Sequence, residues 1–210
     1  MAPDPTVRHA RARFFASSGF PTDGGYDDDW SEAAFGPVRY RVPNTLARRA
    51  ALRRHDLHHV ATGYAADWRG EAEISGWELG SGAGVYPYAW LIALWGMFTG
   101  LLYHPAPTVR AFLRGRHSDN LYCHGSGTEA VLSQPVSTLQ QHLSVLPASI
   151  DPWTGRSGLA RIADALALAA WSLLSLTFGV VSLLPAGLLI ALAWRPTLPS
   201  LCCSGAATAG

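Results

Sequence analysis

The chain of 210 residues is 49% hydrophobic and only 15% charged, long enough for one domain with a real core and apolar for a freely soluble one. A net charge of +1, with no continuous basic stripe and no zinc-finger spacing, argues against a nucleic-acid partner. Cys123, Cys202 and Cys203 form no CxxC pair and are too few for a disulfide framework, which points to a reducing compartment; all 16 basic residues are arginine, a bias that fits a bacterial source.

The N-terminal stretch MAPDPTVRHARARFFASSGF lacks the apolar core of a secretory signal, although Arg8, Arg11 and Arg13 suit a short mitochondrial presequence. PTDGGYDDDWSEAAF, from Pro21 to Phe35, mixes turn formers with an acidic cluster and shows no sustained period, so it is expected to be a solvated loop. Pro43 precludes helix before it, Asn44 can cap, and Gly63 offers a stop; together they predict a helix from Thr45 to Thr62. A second helix is expected over Ala65 to Leu79, with Gly70 and Gly76 as weak points that can kink it. Leu79 to Tyr103 carries no charge, and WLIALWGMFTGLL is apolar on every face, so that helix is buried or in lipid. Its Gly96 and Gly100 make a GxxxG step, a spacing that also recurs by chance.

A short basic helix is expected around Arg110 to Arg116, then the loop HSDNLYCHGSG and an amphipathic helix in VSTLQQHLSVLP. Ala165 to Trp194 has no charge, bounded by Arg161 and Asp164 before and Arg195 after, and is the strongest membrane signal in the chain. A straight helix of that length exceeds a bilayer core of about 30 Å, and Pro185 with Gly187 supplies a break, so a tilted span and a kinked hairpin both fit. A very hydrophobic core helix of a soluble protein is the alternative. The expected fold is all-α and membrane-associated: a flexible N-terminal segment at 1–35, a helical metal- and lipid-binding domain at 36–158, a hydrophobic membrane segment at 159–197 and a tail at 198–210.

Chemistry concentrates in HDLHHVATGYAADWRGE, residues 55–71. His55 and His59 are four apart, so one helix face presents both rings. Glu71 would lie about 18 Å further along a straight helix and joins them only if the chain reverses near Gly63. Asp56 points about 100° away from His55 and ligates from the flank or supports a ligand. Two histidines with carboxylates are the inventory used by zinc and by non-haem iron, and the expected cofactor is a divalent metal, zinc or iron. His58 is a third nitrogen ligand, a proton shuttle, or a surface or packing residue. Asp67, four before Glu71, and His58 are the candidates for orienting a ligand or transferring a proton; the plain reading makes them a helix-surface acid and a surface histidine.

HDLHH followed by eleven residues and Glu71 resembles the HDxxH-x(11)-E motif of the ubiquinone (coenzyme Q) biosynthesis protein four family. PNTLARR upstream, TGY after the second histidine and DWRGE before the glutamate are similar to the same family's local context, and NLY at Asn120 to Tyr122 is similar to a later segment. The likeness covers about Pro43 to Tyr103 and implies metal ligands at His55, Asp56, His59 and Glu71. The chain departs from the pattern at His58, where family members often have an aromatic residue, and in its hydrophobic C-terminal segment.

The resemblance implies an all-helical, membrane-associated protein of ubiquinone biosynthesis that binds a long isoprenoid lipid and takes part in oxidative decarboxylation or hydroxylation of a polyprenylated aromatic ring. The alternative is a non-catalytic lipid-binding scaffold that gathers other quinone-biosynthesis enzymes. Expected partners are a polyprenylated quinone precursor or other isoprenoid lipid, the membrane, other quinone-biosynthesis proteins and a second copy in a homodimer. The expected place is the bacterial inner membrane with the site on its cytoplasmic face, or else the matrix face of the mitochondrial inner membrane. The helix from Trp90 to Leu102 is expected to wall an apolar tunnel for the lipid tail.

Overall fold

A computed structural model of the chain describes residues 4–35, 38–123 and 128–193; the expected tail at 198–210, with Cys202 and Cys203, lies outside them. The N-terminal stretch expected to be flexible carries helix α1 (Val7–Ser18), capped by the Thr6 hydroxyl and ended by Gly19 in the left-handed conformation. What orders it is tertiary contact. Val7 and Phe15 are buried, Phe15 meets the rings of Phe20 and Tyr26 edge-on, and Phe14 stacks on His59. The stretch read as a solvated loop ends in strand β1 (Trp30–Phe35), which pairs antiparallel with β2 (Val38–Pro43), Trp30 opposite Pro43 and Phe35 opposite Val38.

Helix α2 (Leu46–Thr62) follows the expected boundaries, with Gly63 left-handed at its end. Its cap is Thr45, whose hydroxyl accepts from Arg48 N, and not Asn44. Asn44 is buried, and its amide donates to the carbonyls of Gly25, Tyr26 and Asp28, at 3.0, 3.2 and 2.9 Å. That fastens the loop before β1 to the start of α2.

Helix α3 (Trp68–Ser81) runs unbroken through Gly70 and Gly76. Its glycines serve close packing: Gly76 faces the Thr108 carbonyl of α5 (Pro105–Gly115). On α4 (Pro87–Tyr103), Gly96 faces Ser75, and Gly100 faces Ala72 and Thr108, so the GxxxG step brings α4 against α3. Two short helices, α6 (Thr128–Ser133) and α7 (Val136–His142), close the other side of α2, where Leu57 and Ala61 share a core with Val7, Leu132, Leu139 and Leu143.

The C-terminal segment is one helix, α8 (Gly158–Ala193), with Pro185 inside it, and not a hairpin. Within Gly158–Pro185 its most apolar 18-residue window has a mean hydropathy of 1.9 and is only 11% buried, so it is not the core helix of a globular domain. It is long and apolar enough to cross a membrane. One face docks on α4: Trp171 stacks on Trp90 with ring centroids 5.1 Å apart, and Gly179 leaves room for the Phe98 ring. Near its start, buried Asp164 accepts from Arg116 Nε at 3.0 Å and from Arg156 Nε at 2.8 Å, clamping α8 to the rest of the chain.

Among the described residues the molecule is thus eight helices and one small hairpin. A Cβ added at Gly76 would lie 2.7 Å from the Thr108 carbonyl oxygen, which is backbone and does not yield as a side chain would. Gly76→Ala is therefore expected to lower stability by about 1–2 kcal/mol, overpacking outweighing the gain in helix propensity. Thermal unfolding of the purified variant checks this; an unchanged midpoint would contradict the packing.

Candidate metal centre

Helix α2 presents His55 and His59 on one face, and α3, beginning five residues after the Gly63 stop, carries Glu71 back to them. His55 Nε2 lies 3.2 Å from His59 Nε2 and 3.3 Å from Glu71 Oε2, and His59 Nε2 lies 3.4 Å from Glu71 Oε1. Donors bound about 2.0–2.2 Å from one ion lie about 3.0–3.4 Å apart in tetrahedral or octahedral arrangements, so the spacing fits a single metal. The two histidines and Glu71 can hold a metal ion.

Hydrogen-bond partners settle which ring nitrogen is available. His59 Nδ1 is 3.0 Å from the Tyr64 carbonyl, which only accepts, so Nδ1 carries the proton and Nε2 offers a lone pair. His55 Nδ1 is 3.0 Å from Glu78 Oε1 and donates to that carboxylate. Both Nε2 lone pairs then face each other and Glu71, an arrangement that is repulsive without a cation between them. A proton on His55 Nε2 relieves it, and so does a metal ion.

Charge makes the same demand. Among the described residues no arginine forms an ion pair with Glu71 or Glu78, whose partners are the histidines. Glu78 Oε2 is buried with no hydrogen-bond partner. Burial pushes the His55 imidazolium down, but the Glu78 and Glu71 carboxylates outweigh it and hold its pKa well above the ordinary 6.5. Burial raises the Glu78 carboxyl, yet His55 and His58 beside it bring it down to about 2. Hydrogen bonds from His55 and His59 likewise overcome burial and depress Glu71.

The remaining sequence-predicted residues fall in three places. Asp56 borders the same groove as His55 and Glu71, but its Oδ2 accepts from the Tyr26 hydroxyl and it is not one of the three converging groups. His58 is fully buried: its Nδ1 donates to Glu78 Oε1 at 2.8 Å and its Nε2 accepts from Leu121 N at 2.9 Å. It is neither a surface residue nor one of the converging ligand groups. Burial lowers its pKa against the pull of Glu78, so it stays neutral and positions that carboxylate. Asp67 is exposed at the start of α3, where it accepts from Gly70 N at 2.7 Å; the fold uses it as the helix cap and does not bring it into the cluster.

Glu78 is the residue the sequence reading missed. Its Oε1 accepts from His55, His58 and the Tyr122 hydroxyl, the last at 3.0 Å. The available signal was its position seven residues after Glu71, two helical turns along the same face, as a lone acid in the stretch ISGWELG. The NLY segment closes the far side. Asn120 bonds Ser81 Oγ at 3.0 Å, Leu121 N reaches His58, and Tyr122 reaches Glu78.

A groove of about 630 Å³ opens beside the cluster. His55, Asp56 and Glu71 form its polar end, while Leu91, Ile92 and Trp95 of α4 and Phe178 of α8 form its apolar wall. The arrangement can bring a polar head to the metal ligands and leave an apolar tail along α4 and α8.

The shifted groups set a pH dependence for the metal-free protein. Raised His55 contributes stability below pH 6.5 that is lost as pH rises through its folded value. Depressed Glu78 contributes stability above 4.5 that is lost as pH falls toward about 2. Together His55 and Glu78 favour metal-free protein between 4.5 and 6.5, a gain that His58, neutral in its buried site, reduces as pH falls below 6.5, and added zinc is expected to raise the unfolding midpoint most on the alkaline side, where it replaces the departing proton. Thermal melts across pH, with and without zinc, check this; a flat profile that zinc does not alter would contradict it. Compared with protein families, curated proteins and solved structures, the chain matches none.

Proposed function

We propose that the chain is a metal-dependent, membrane-bound protein of ubiquinone biosynthesis that modifies a polyprenylated aromatic ring. The observation that carries this reading is the groove: its polar end holds His55 and Glu71 of the metal-binding cluster, and its apolar wall belongs partly to α8, the helix long enough to cross a membrane. A prenyl tail suits such a wall and a phenolic ring suits such an end. The HDxxH-x(11)-E resemblance, with its local context from about Pro43 to Tyr103, adds the quinone pathway.

In this reading the reaction replaces a ring carboxylate by hydroxyl. Carbon dioxide leaves, dioxygen supplies the hydroxyl oxygen, and a reductant's two electrons take the second oxygen atom to water. A metal held by His55, His59 and Glu71, iron or zinc, would supply a Lewis acid, and iron would also supply dioxygen activation. The chain's own residues do the rest. Leu91, Ile92 and Trp95 hold the tail, and Glu78 keeps His55 Nε2 aimed at the reacting end. Asp56, with Oδ2 occupied by Tyr26, offers Oδ1 as a proton acceptor at the groove wall. The proposed place is a bacterial inner membrane, with the site on the cytoplasmic side.

The test is turnover. Full-length protein in lipid nanodiscs, loaded with iron(II) or zinc and given oxygen, a reductant and a prenylated aromatic acid labelled in its carboxyl group, is expected to release labelled carbon dioxide with iron. His59→Ala is expected to lose at least about 100-fold, since replacing even a residue that only supports a metal's ligand costs about 10–100-fold. Ile92→Glu should raise KM by burying a charge in the tail groove. Tight binding of the prenylated acid without turnover under either metal would instead favour a lipid-binding scaffold for other quinone-biosynthesis enzymes.

A further inference from the structure

Arg48 stands where two cavities meet. The groove beside the metal cluster and a second, more polar cavity of about 880 Å³ share Phe20, Arg48, Leu52 and Asp56 among their lining residues. Among the described residues Arg48 is the one arginine lining the groove, and its surroundings differ from those of its neighbours on α2. Arg49 and Arg53 lie 3.7 and 3.9 Å from the carboxylates of Asp29 and Asp27. Arg48 makes three side-chain hydrogen bonds, all to neutral oxygens: Nε to the Tyr88 hydroxyl at 3.1 Å, and Nη1 to Ser31 Oγ at 2.7 Å and Asn44 Oδ1 at 2.9 Å.

Those bonds orient the guanidinium without neutralising it. Among the described residues no ion pair involves Arg48, and Nη2 has no hydrogen-bond partner. A partly buried guanidinium pinned by three neutral acceptors is preorganised, so a further acceptor binds it at little ordering cost. Guanidinium recognises carboxylate and phosphate oxygens in particular. The groove's apolar wall begins beside it, because Tyr88 both accepts from Arg48 and lines the groove with Leu91 and Trp95.

We propose that Arg48 is the anion seat of this groove: it binds the carboxylate or phosphate of an amphiphile whose tail lies along Leu91, Ile92 and Trp95. The inference deepens the lipid-groove reading above and rests on it. It assigns to Arg48 the selection of an acidic over a neutral head group, a role separate from that of the metal ligands.

The experiment compares three probes with one tail: terminally brominated dodecanoate, dodecyl phosphate and dodecanol, titrated into full-length, metal-free protein in nanodiscs and followed by quenching of tryptophan fluorescence. Wild type is expected to bind at least one of the two anions about tenfold more tightly than the alcohol, the scale of one charged hydrogen bond. The favoured anion tells a carboxylate head from a phosphate head. Arg48→Gln should bring both anions down to the affinity of the alcohol and leave the alcohol unchanged, while Arg48→Lys, which keeps the charge and loses the fork, should retain a part of the preference. Equal binding of all three probes by wild type, or a preference that survives in Arg48→Gln, would overturn the assignment to Arg48 while leaving the groove in place. Loss of alcohol binding in both variants would make Arg48 a support for the chain around Ser31 and Asn44 and overturn the proposal. Failure of wild type to bind any probe would overturn the groove reading and the anion seat with it.

Discussion

One oxygen atom, Oε1 of Glu78, accepts hydrogen bonds from His55, His58 and Tyr122 at a point closed to solvent. Two of those donors come from α2 and one from the segment after α5, so a single buried carboxylate ties three parts of the chain together. A carboxylate without a cation is costly to bury, by several kcal/mol even after relaxation, and a fold built for stability alone would do better with an apolar residue there. The arrangement makes sense where it orients an imidazole. With Nδ1 of His55 committed to Glu78 and Nδ1 of His59 to Tyr64, both Nε2 atoms turn toward Glu71, and the place between them calls for positive charge. His58 extends the same logic outward, because accepting from Leu121 N leaves its Nδ1 proton for Glu78.

The packing around this hub decides what can reach it. Small residues let α3 approach both α4 and α5, which places the apolar α4 beside the ligands and not a layer away. α8 then leans on α4 through Trp171 and Gly179, while Arg116 and Arg156 grip Asp164 where the long uncharged run begins. A helix anchored in this way holds a fixed orientation to the groove, unlike one joined by a loose linker. The arginine lining the groove, Arg48, is held by Ser31 of β1, Asn44 just ahead of α2 and Tyr88 of α4.

Much of this was legible in the residues, and where it was not the reason is tertiary. The boundaries of α2 followed from Pro43 and Gly63, the reversal at Gly63 from the need to bring Glu71 back, and the apolar part of α8 from its uncharged run, although the helix begins seven residues earlier, at Gly158. α1 was missed because its sequence is only weakly amphipathic; its order comes from Phe14 on His59 and Phe15 among Phe20 and Tyr26, partners far along the chain. The alternation of Val38, Tyr40 and Val42 was a readable strand signal, masked by the turn formers before it. Asn44 and Asp67 show the limits of local rules. Both are good capping residues: Asp67 caps α3 and was read as chemistry, whereas Asn44 was read as a cap and holds three carbonyls of a distant loop. Asp56 was read with the ligands because it adjoins His55; Tyr26, thirty residues earlier, claims one of its oxygens.

The central claim is that His55, His59 and Glu71 bind one metal ion. Elemental mass spectrometry on full-length protein purified in mild detergent without added metal, beside the His59→Ala variant, tests it most directly. About one iron or zinc per wild-type chain, lost in the folded variant, is the predicted result. Folded wild-type protein that carries no metal and takes up neither iron nor zinc on titration would contradict it.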